Sequence, residues 1–173
     1  MASTIERLAR NARIVDRDYL ERERPVTGQP EVYVAGPVDE PSIAAAEKRL
    51  SLRFPSEYRR FVSRYGAMLA PGFELAGLTP CDAKDAPFFR DVVAETLAYH
   101  RAAGTEATNR YVLLSGDGMG ADFLLDTAAR DSCQIVARGP GLDDVVIADG
   151  LDAFCDGMIE DGFAAKLNAA SGH

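Results

Sequence analysis

The sequence predicts one α+β domain in which helices come first, an antiparallel sheet follows and a helix closes the chain. Two observations lead to this fold class. Apolar residues recur every three or four positions through residues 39–65, as they do on one face of a helix. After residue 110 they form short apolar or β-branched runs, which glycine-rich or polar turns separate. A chain of 173 residues is long enough to bury a core of its own.

A helical hairpin is predicted at residues 39–65, with defined helix beginnings and ends. Asp39 is placed as the N-cap of the first helix, and Pro41 falls in its first turn. Pro55 opens the second helix and Gly66 ends it. The buried face of the second helix is predicted to consist of Tyr58, Phe61, Val62 and Tyr65.

The segments on either side of the main domain, residues 37–162, are predicted to differ from it. Residues 1–36 read as a helical extension and linker, with a helix over residues 3–20 that begins at a Ser3–Glu6 capping box. A short strand is expected at Val32–Val34 within that linker. Residues 163–173 are small and polar, so we expect a frayed tail.

The rest of the domain is predicted to alternate between strands and helices. A short strand over residues 73–78 and a helix over residues 87–103 lead to a meander of about four strands and a closing helix. The predicted strands and last helix are 111–114, 123–126, 134–136, 145–147 and 151–159.

The amino-acid composition excludes some kinds of function and favours others. The formal net charge of −8 disfavours a nucleic-acid partner, because neutralising phosphates requires clustered Lys and Arg. The sequence contains no signal peptide and no apolar run long enough to span a membrane, so we expect a cytoplasmic protein with no membrane partner. Cys81, Cys133 and Cys155 follow no metal or redox spacing and are expected to be reduced.

The sequence gives little support for a catalytic site or a cofactor site. A nucleophilic cysteine with His100 as its base has no local signature, and acidic residues alone do not define a glycosidase pair. The run Gly116-Asp-Gly-Met-Gly-Ala121 resembles a phosphate loop, but a strand rather than a helix is predicted after it. It also lacks the alternating ligands of a calcium loop. Glu47, on an otherwise apolar helix face, is expected to pair with Arg59, Arg60 or a main-chain amide. We therefore predict no catalytic residue, cofactor or metal.

Acidic residues are concentrated in the second half of the chain. Residues 111–162 carry eleven carboxylates and two arginines, a formal charge of −9, whereas residues 1–110 are neutral overall. One interpretation is a solvated surface with some carboxylates used in turns and helix caps, such as Asp149 or Asp152 for the last helix. The other is a face that attracts a basic partner. For that second interpretation the predicted partner-binding residues are Asp117, Asp122, Asp143, Asp144, Asp152 and Asp156.

The order of these motifs resembles the SUKH superfamily over residues 37–162. The resemblance lies in an apolar helix with an inner glutamate, a Phe-Pro step, an aromatic helix that ends in glycine, a glycine-rich turn and a final helix. The residues that carry it are Ile43, Glu47, Leu50, Leu52, Phe54, Pro55, Tyr58, Phe61, Val62, Tyr65, Gly66, Gly116 to Phe123, Asp126 and Asp152 to Phe154. Tyr-Gly in place of Asn-Gly, the absence of tryptophan and the N-terminal extension depart from the family pattern.

The resemblance implies an α+β fold without a catalytic site of its own. Bacterial members are similar to immunity proteins, which bind and block a cognate secreted toxin, often a nuclease or a deaminase. Fungal relatives resemble scaffold or regulatory proteins of cell-wall signalling. The resemblance therefore implies a toxin-binding immunity protein of a polymorphic toxin system, with a scaffold module as the alternative.

Overall fold

The computed structural model describes residues 2–15, 32–80, 89–104, 109–128 and 133–172. The helices in these residues are α1 (Thr4–Ala9), α2 (Glu40–Leu50), α3 (Ser56–Tyr65), α4 (Val92–Ala103), α5 (Leu151–Glu160) and α6 (Ala164–Ser171). The strands are β1 (Arg13–Ile14), β2 (Tyr33–Val34), β3 (Met68–Ala70), β4 (Phe73–Leu75), β5 (Tyr111–Gly116), β6 (Asp122–Asp126), β7 (Gln134–Gly139) and β8 (Leu142–Asp149).

The strands form two four-stranded sheets, and the mixture of helices and sheets confirms the α+β class. The first sheet has the order β1-β2-β3-β4, and β1 runs parallel to β2. The second is the predicted antiparallel meander, in the order β5-β6-β7-β8. Where the two sheets meet, the amide of Ala76 donates to the carbonyl of Leu114 at 2.8 Å. The second sheet therefore lies directly beside the end of the first.

The helical hairpin α2–α3 is confirmed. The Asp39 carboxylate accepts a hydrogen bond from the Ser42 amide at 2.9 Å, which caps α2 as predicted. Gly66 ends α3 with a φ of 74°. The Phe54 amide donates to Glu47 Oε1 at 2.8 Å, and Arg59 Nε lies 3.4 Å from the same oxygen. Glu47 is therefore a buried structural residue, as expected.

The predicted helix over residues 3–20 is wrong beyond its first turns. The Ser3–Glu6 capping box is present, but α1 ends at Ala9. The chain then becomes extended, since the Val15 amide donates to the Val34 carbonyl at 2.9 Å. Pairing with the predicted strand at residues 32–34, together with burial of Val15, outweighs the helical periodicity. Residues 16–20 of the predicted helix lie outside the described residues.

Several other boundaries also differ from the prediction. The helix predicted from residue 87 begins at Val92, because the Asp91 carboxylate caps it through the Ala94 amide at 2.7 Å. Residues 87 and 88 lie outside the described part of the chain. β3 was not predicted, and β4 ends at Leu75 instead of residue 78. These strands have three residues each, which is too short for an alternating pattern to show.

The predicted frayed tail forms a helix instead. α6 covers Ala164–Ser171, and Phe163 anchors its start. The Phe163 ring stacks on that of Phe154, with centroids 5.7 Å apart, and is only 7% exposed. Lys166 Nζ donates to the Ile147 carbonyl at 2.7 Å. Burial of one aromatic ring and satisfaction of one strand carbonyl thus hold a segment whose composition predicted fraying.

The main core lies between the helices α2, α3 and α5 and the inner faces of the sheets. Its largest fully buried side chains include Tyr58, Phe123, Phe154 and Ile43. The Tyr58 hydroxyl donates to the Ala76 carbonyl at 2.8 Å, which satisfies the buried phenol. A smaller cluster on the opposite face of the second sheet packs Tyr99 of α4 against the sheet. The division into 1–36, 37–162 and 163–173 stays a prediction.

Two glycines allow main chain to pack on main chain beside the hairpin. A Cβ atom at residue 77 would lie 1.8 Å from the Gly66 carbonyl oxygen. A Cβ atom at residue 66 would lie 2.5 Å from the Gly36 carbonyl oxygen. Both distances are far below van der Waals contact, so the end of α3 and the strand connection after β4 approach each other only because these positions are glycine.

Candidate partner-binding surface

The register of the second sheet brings four of the six predicted partner-binding residues to one end. Gly116 pairs with Asp122, and Asp122 pairs in turn with Arg138. The β5–β6 and β7–β8 turns therefore lie side by side. These turns and the strand ends beside them carry four aspartates: Asp117, Asp122, Asp143 and Asp144. We call these four residues the turn-end surface.

Asp117 organises the β5–β6 turn. Its Oδ1 atom accepts hydrogen bonds from the amides of Met119 at 2.7 Å and Ala121 at 2.9 Å. Gly118 and Gly120 have φ values of 73° and 116°, which glycine adopts without strain. The turn leads into β6, so this is the predicted hairpin loop and lacks the helix that a phosphate loop requires.

Asp122 is half-buried at the start of β6. Burial raises the pKa of its carboxyl; the guanidinium of Arg90 opposes the shift and the Asp117 carboxylate adds to it. The neighbouring Asp143 is different, since its side chain is 94% exposed and lies 3.6 Å from Arg138 Nη2. Asp143 therefore contributes charge that remains fully open to solvent.

Asp144 is fixed by neighbours on the face of the sheet that packs against α4. Its Oδ2 atom accepts hydrogen bonds from the Tyr111 hydroxyl at 2.8 Å and from Arg138 Nη2 at 3.1 Å. Arg138 also lies over the Tyr111 ring, 5.3 Å from its centroid. The φ of Asp144 is 49°, a left-handed conformation that aspartate tolerates better than most residues. These contacts hold the carboxylate in one position.

Arg110 completes this cluster from the other side of Tyr111. Its Nη2 atom donates to the Tyr111 hydroxyl at 2.6 Å, and its guanidinium lies 4.8 Å from the ring centroid. Burial raises the pKa of the Tyr111 phenol, and the hydrogen bond to Asp144 raises it further. Arg110 Nη2 also lies 3.0 Å from Asp126 Oδ2 at the end of β6. Sequence reasoning missed Tyr111 and Arg110, because the fold brings the Asp144 carboxylate to Tyr111 from a distant part of the chain.

Asp152 and Asp156 are engaged elsewhere, in holding α1 against α5. The Ile5 amide donates to Asp152 Oδ1 at 2.9 Å, and the Thr4 hydroxyl donates to Asp156 Oδ1 at 2.6 Å. Arg7 also lies 3.5 Å from Asp156. We call these contacts the α1 clamp. The cap predicted for α5, Asp149 or Asp152, is wrong, because the Leu151 amide donates to Glu57 Oε1 at 2.9 Å instead.

The other chemistries weighed in the sequence gain nothing from the structure. His100 Nε2 is hydrogen-bonded to the Tyr111 carbonyl at 2.8 Å. Cys133 and Cys155 are buried free thiols; burial raises the pKa of both, that of Cys155 to about 12, so neither carries the thiolate that a nucleophile needs. Cys81 lies outside the described residues.

The described residues contain neither a cluster of metal-ligating side chains nor a membrane-spanning helix. In the described ranges, no three His, Cys, Asp or Glu side chains form a group that could hold a metal ion. No helix in those ranges is long and apolar enough to cross a membrane.

Comparison with known proteins identifies a similar family. A family model described as SUKH_5, SMI1-KNR4 cell-wall, matches residues 2–137. The match begins before residue 37, where the resemblance in the sequence begins, and it includes α1 and β1. It ends within β7. No curated protein matches the chain.

Proposed function

Because this chain belongs to the SUKH (SMI1-KNR4) family, we propose that it is an immunity protein that neutralises a cognate bacterial toxin. The toxin is of nuclease or deaminase type, and the protein covers its basic active cleft. The family supports a role in protein–protein interaction, and the identity of the partner is our proposal. In this role the chain acts in the cytoplasm and performs no catalytic step of its own.

The observation that carries this proposal is the grouping of carboxylates on the turn-end surface. An enzyme that acts on nucleic acid needs Lys and Arg to bind phosphates, so its cleft is basic. Complementary charge speeds the encounter of two proteins and disfavours wrong partners. The fixed Asp144 and the exposed Asp143 supply such charge without the entropy cost of ordering long side chains. Asp152 and Asp156 play a secondary part, because they already hold α1.

The test uses the toxin domain that this proposal expects the neighbouring gene to encode. A fourfold variant replaces each aspartate of the turn-end surface with asparagine: Asp117→Asn, Asp122→Asn, Asp143→Asn and Asp144→Asn. It removes four charges but keeps an acceptor oxygen at each position. We expect the fourfold variant to bind the toxin about tenfold or more weakly at low salt, and to lose part of its protection of toxin-expressing cells.

The matched control neutralises two exposed carboxylates away from the turns. Glu40 lies at the start of α2, and Asp149 lies at the opposite end of β8. Glu40→Gln with Asp149→Asn should leave toxin binding unchanged. Equal binding by the fourfold variant and the wild type would place the interface elsewhere, and an absence of toxin binding by the wild type would refute the immunity role.

The alternative is a scaffold or regulatory module that binds a cellular partner. The description of the matched family model, SMI1-KNR4 cell-wall, favours this alternative. Rescue of cells from the neighbouring toxin distinguishes the two functions, because a scaffold confers no protection. A growth or cell-envelope defect on deletion of the gene in the absence of any toxin would favour the scaffold.

A further inference from the structure

An open apolar groove adjoins the turn-end surface. It lies between the β5–β6 turn, the β7–β8 turn, the end of α5 and one side of α6, with Gly72 of the β3–β4 turn also in its lining, and its volume is about 460 Å³. We call it the turn groove. Its apolar lining consists of Met119, Pro140, Leu142, Met158 and Leu167, together with alanines and glycines. A volume of this size accommodates one or two large side chains.

Met119 projects from the rim of the turn groove. It is 89% exposed, the most exposed large apolar side chain among the described residues. The two Asp117 hydrogen bonds hold its turn, and the Asp117 amide closes the same turn on the Ala121 carbonyl at 3.0 Å. A flexible thioether on an ordered turn can adapt to a partner with little loss of main-chain entropy.

The floor of the turn groove is continuous with the core. Leu142, Met158 and Leu167 are partly buried and pack against the main cluster. The stacked ring of Phe163 holds the start of α6, which carries Leu167. A Cβ atom at residue 139 would lie 2.5 Å from the Gly120 carbonyl oxygen, so the two turns are in direct contact. The turn groove is therefore formed before any partner arrives.

The charged lining of the turn groove is entirely acidic. Asp117 and Asp161 line it, and none of its described lining residues is Lys or Arg. Each carboxylate uses its Oδ1 atom to hold a main-chain amide, that of Phe163 in the case of Asp161 at 2.8 Å. These negative charges are thus fixed at the edge of an apolar surface, which favours a ligand that is both apolar and basic.

We propose that the turn groove binds an apolar side chain of the toxin, and that Lys or Arg residues flank this side chain in the toxin sequence. The apolar side chain contacts Met119, Leu142 and Leu167, and the flanking cations lie at Asp117 and Asp161. The toxin as partner rests on the proposed function. An apolar anchor supplies affinity that surface charge alone does not, because exposed ion pairs contribute little.

The test titrates the full chain with a peptide probe, the capped hexapeptide Lys-Lys-Leu-Leu-Lys-Lys. Amide NMR shifts should move at residues 117–121, 141–142 and 158–167. Met119→Ser should weaken the affinity about tenfold, as loss of a buried apolar contact implies. Ile159→Ser is the matched control, since Ile159 is 52% exposed and lies outside the turn groove. Asp117→Asn, which keeps the acceptor oxygen, should weaken binding less than Met119→Ser.

Two further peptides separate the two parts of the ligand. Glutamine at both leucines should remove most of the affinity, and glutamine at all four lysines should weaken binding by a smaller factor. No shift at millimolar peptide, or equal binding by Met119→Ser, overturns the proposal. A dimer of the free protein that Met119→Ser dissociates also overturns it, because a second copy would then occupy the turn groove. If the peptide binds but the neighbouring toxin is not neutralised, only the proposed function and the toxin as partner fail. If the toxin is neutralised while the peptide fails to bind, only the turn groove proposal fails.

Discussion

The carboxylate of Asp152 accepts a hydrogen bond from the main-chain amide of Ile5, a residue 147 positions earlier in the chain. With the Thr4–Asp156 bond, it fastens the first helix to the last long one. These two aspartates, which the sequence offers as partner-binding residues, therefore have a structural role at this junction.

Loss of the α1 clamp should destabilise the protein and release α1. Asp152→Ala with Asp156→Ala leaves the Ile5 amide and the Thr4 hydroxyl without their acceptors. We expect the free energy of unfolding to fall by about 2 kcal/mol, measured by urea denaturation. Amide hydrogen exchange at residues 4–9 should accelerate. Asp143→Ala is the control, because its side chain is 94% exposed; unchanged exchange at residues 4–9 would contradict the clamp.

Glu47 should be among the most sensitive polar positions. Glu47→Ala removes the acceptor of the buried Phe54 amide and one partner of Arg59, so we expect the free energy of unfolding to fall by about 3 kcal/mol. Glu47→Gln should cost less, since its amide oxygen can still accept from Phe54. Glu40→Ala, which removes the exposed partner of Arg59, should change stability by less than about 1 kcal/mol. Equal losses for Glu40→Ala and Glu47→Ala would refute the buried role.

Phe163 should determine whether α6 forms. Phe163→Ala removes a ring that stacks on Phe154 and approaches Phe123 edge-on, with centroids 6.1 Å apart. We expect a loss of about 3 kcal/mol in unfolding free energy, together with rapid hydrogen exchange over residues 164–171. Phe163→Leu should lose less, because it retains most of the apolar volume. Persistent protection of α6 in Phe163→Ala would show that Lys166 and Leu167 suffice to hold the helix.

Asp122 should make a pH-dependent contribution to stability. Burial raises the pKa of its carboxyl in the folded state, so the folded chain binds this proton more tightly than the unfolded chain does. The favourable contribution is complete below the ordinary pKa of 3.8 and is lost as the pH rises through the folded value. Asp122→Asn should therefore stabilise the protein at pH 7 relative to wild type. That advantage should disappear near pH 3.5 in thermal melts; an advantage that grows on acidification would have the wrong sign.

Local signals made the hairpin and the meander predictable. Asp39, Pro55 and Gly66 mark helix ends through contacts within a few residues. The helix ends can therefore be predicted from the sequence alone. The strands of the second sheet follow one another through short turns, and each strand pairs with its neighbour in sequence. Neither feature depends on a distant segment.

Two failures of prediction involve contacts between distant segments. The residues after Ala9 continue a helical stripe, yet Val15 pairs with Val34 across the chain. The tail reads as polar, yet Phe163 reaches the ring of Phe123 in β6. For the candidate site, the sequence predicted six aspartates on one face. The fold groups the four that lie in or beside the turns, whereas the use of Asp152 by α1 depends on how a helix docks. Periodicity and composition carry no information about such pairings.

The main-chain contact between Gly66 and Gly77 limits the substitutions that this chain can accept. In a library that samples every residue at each position, selection for folded protein should retain glycine at both sites. Gly72 and Gly104, whose added Cβ atoms would meet nothing within 4 Å, should admit asparagine or aspartate. The spacing of the two invariant glycines would then serve as a fingerprint for other chains that close the hairpin against the first sheet in the same way.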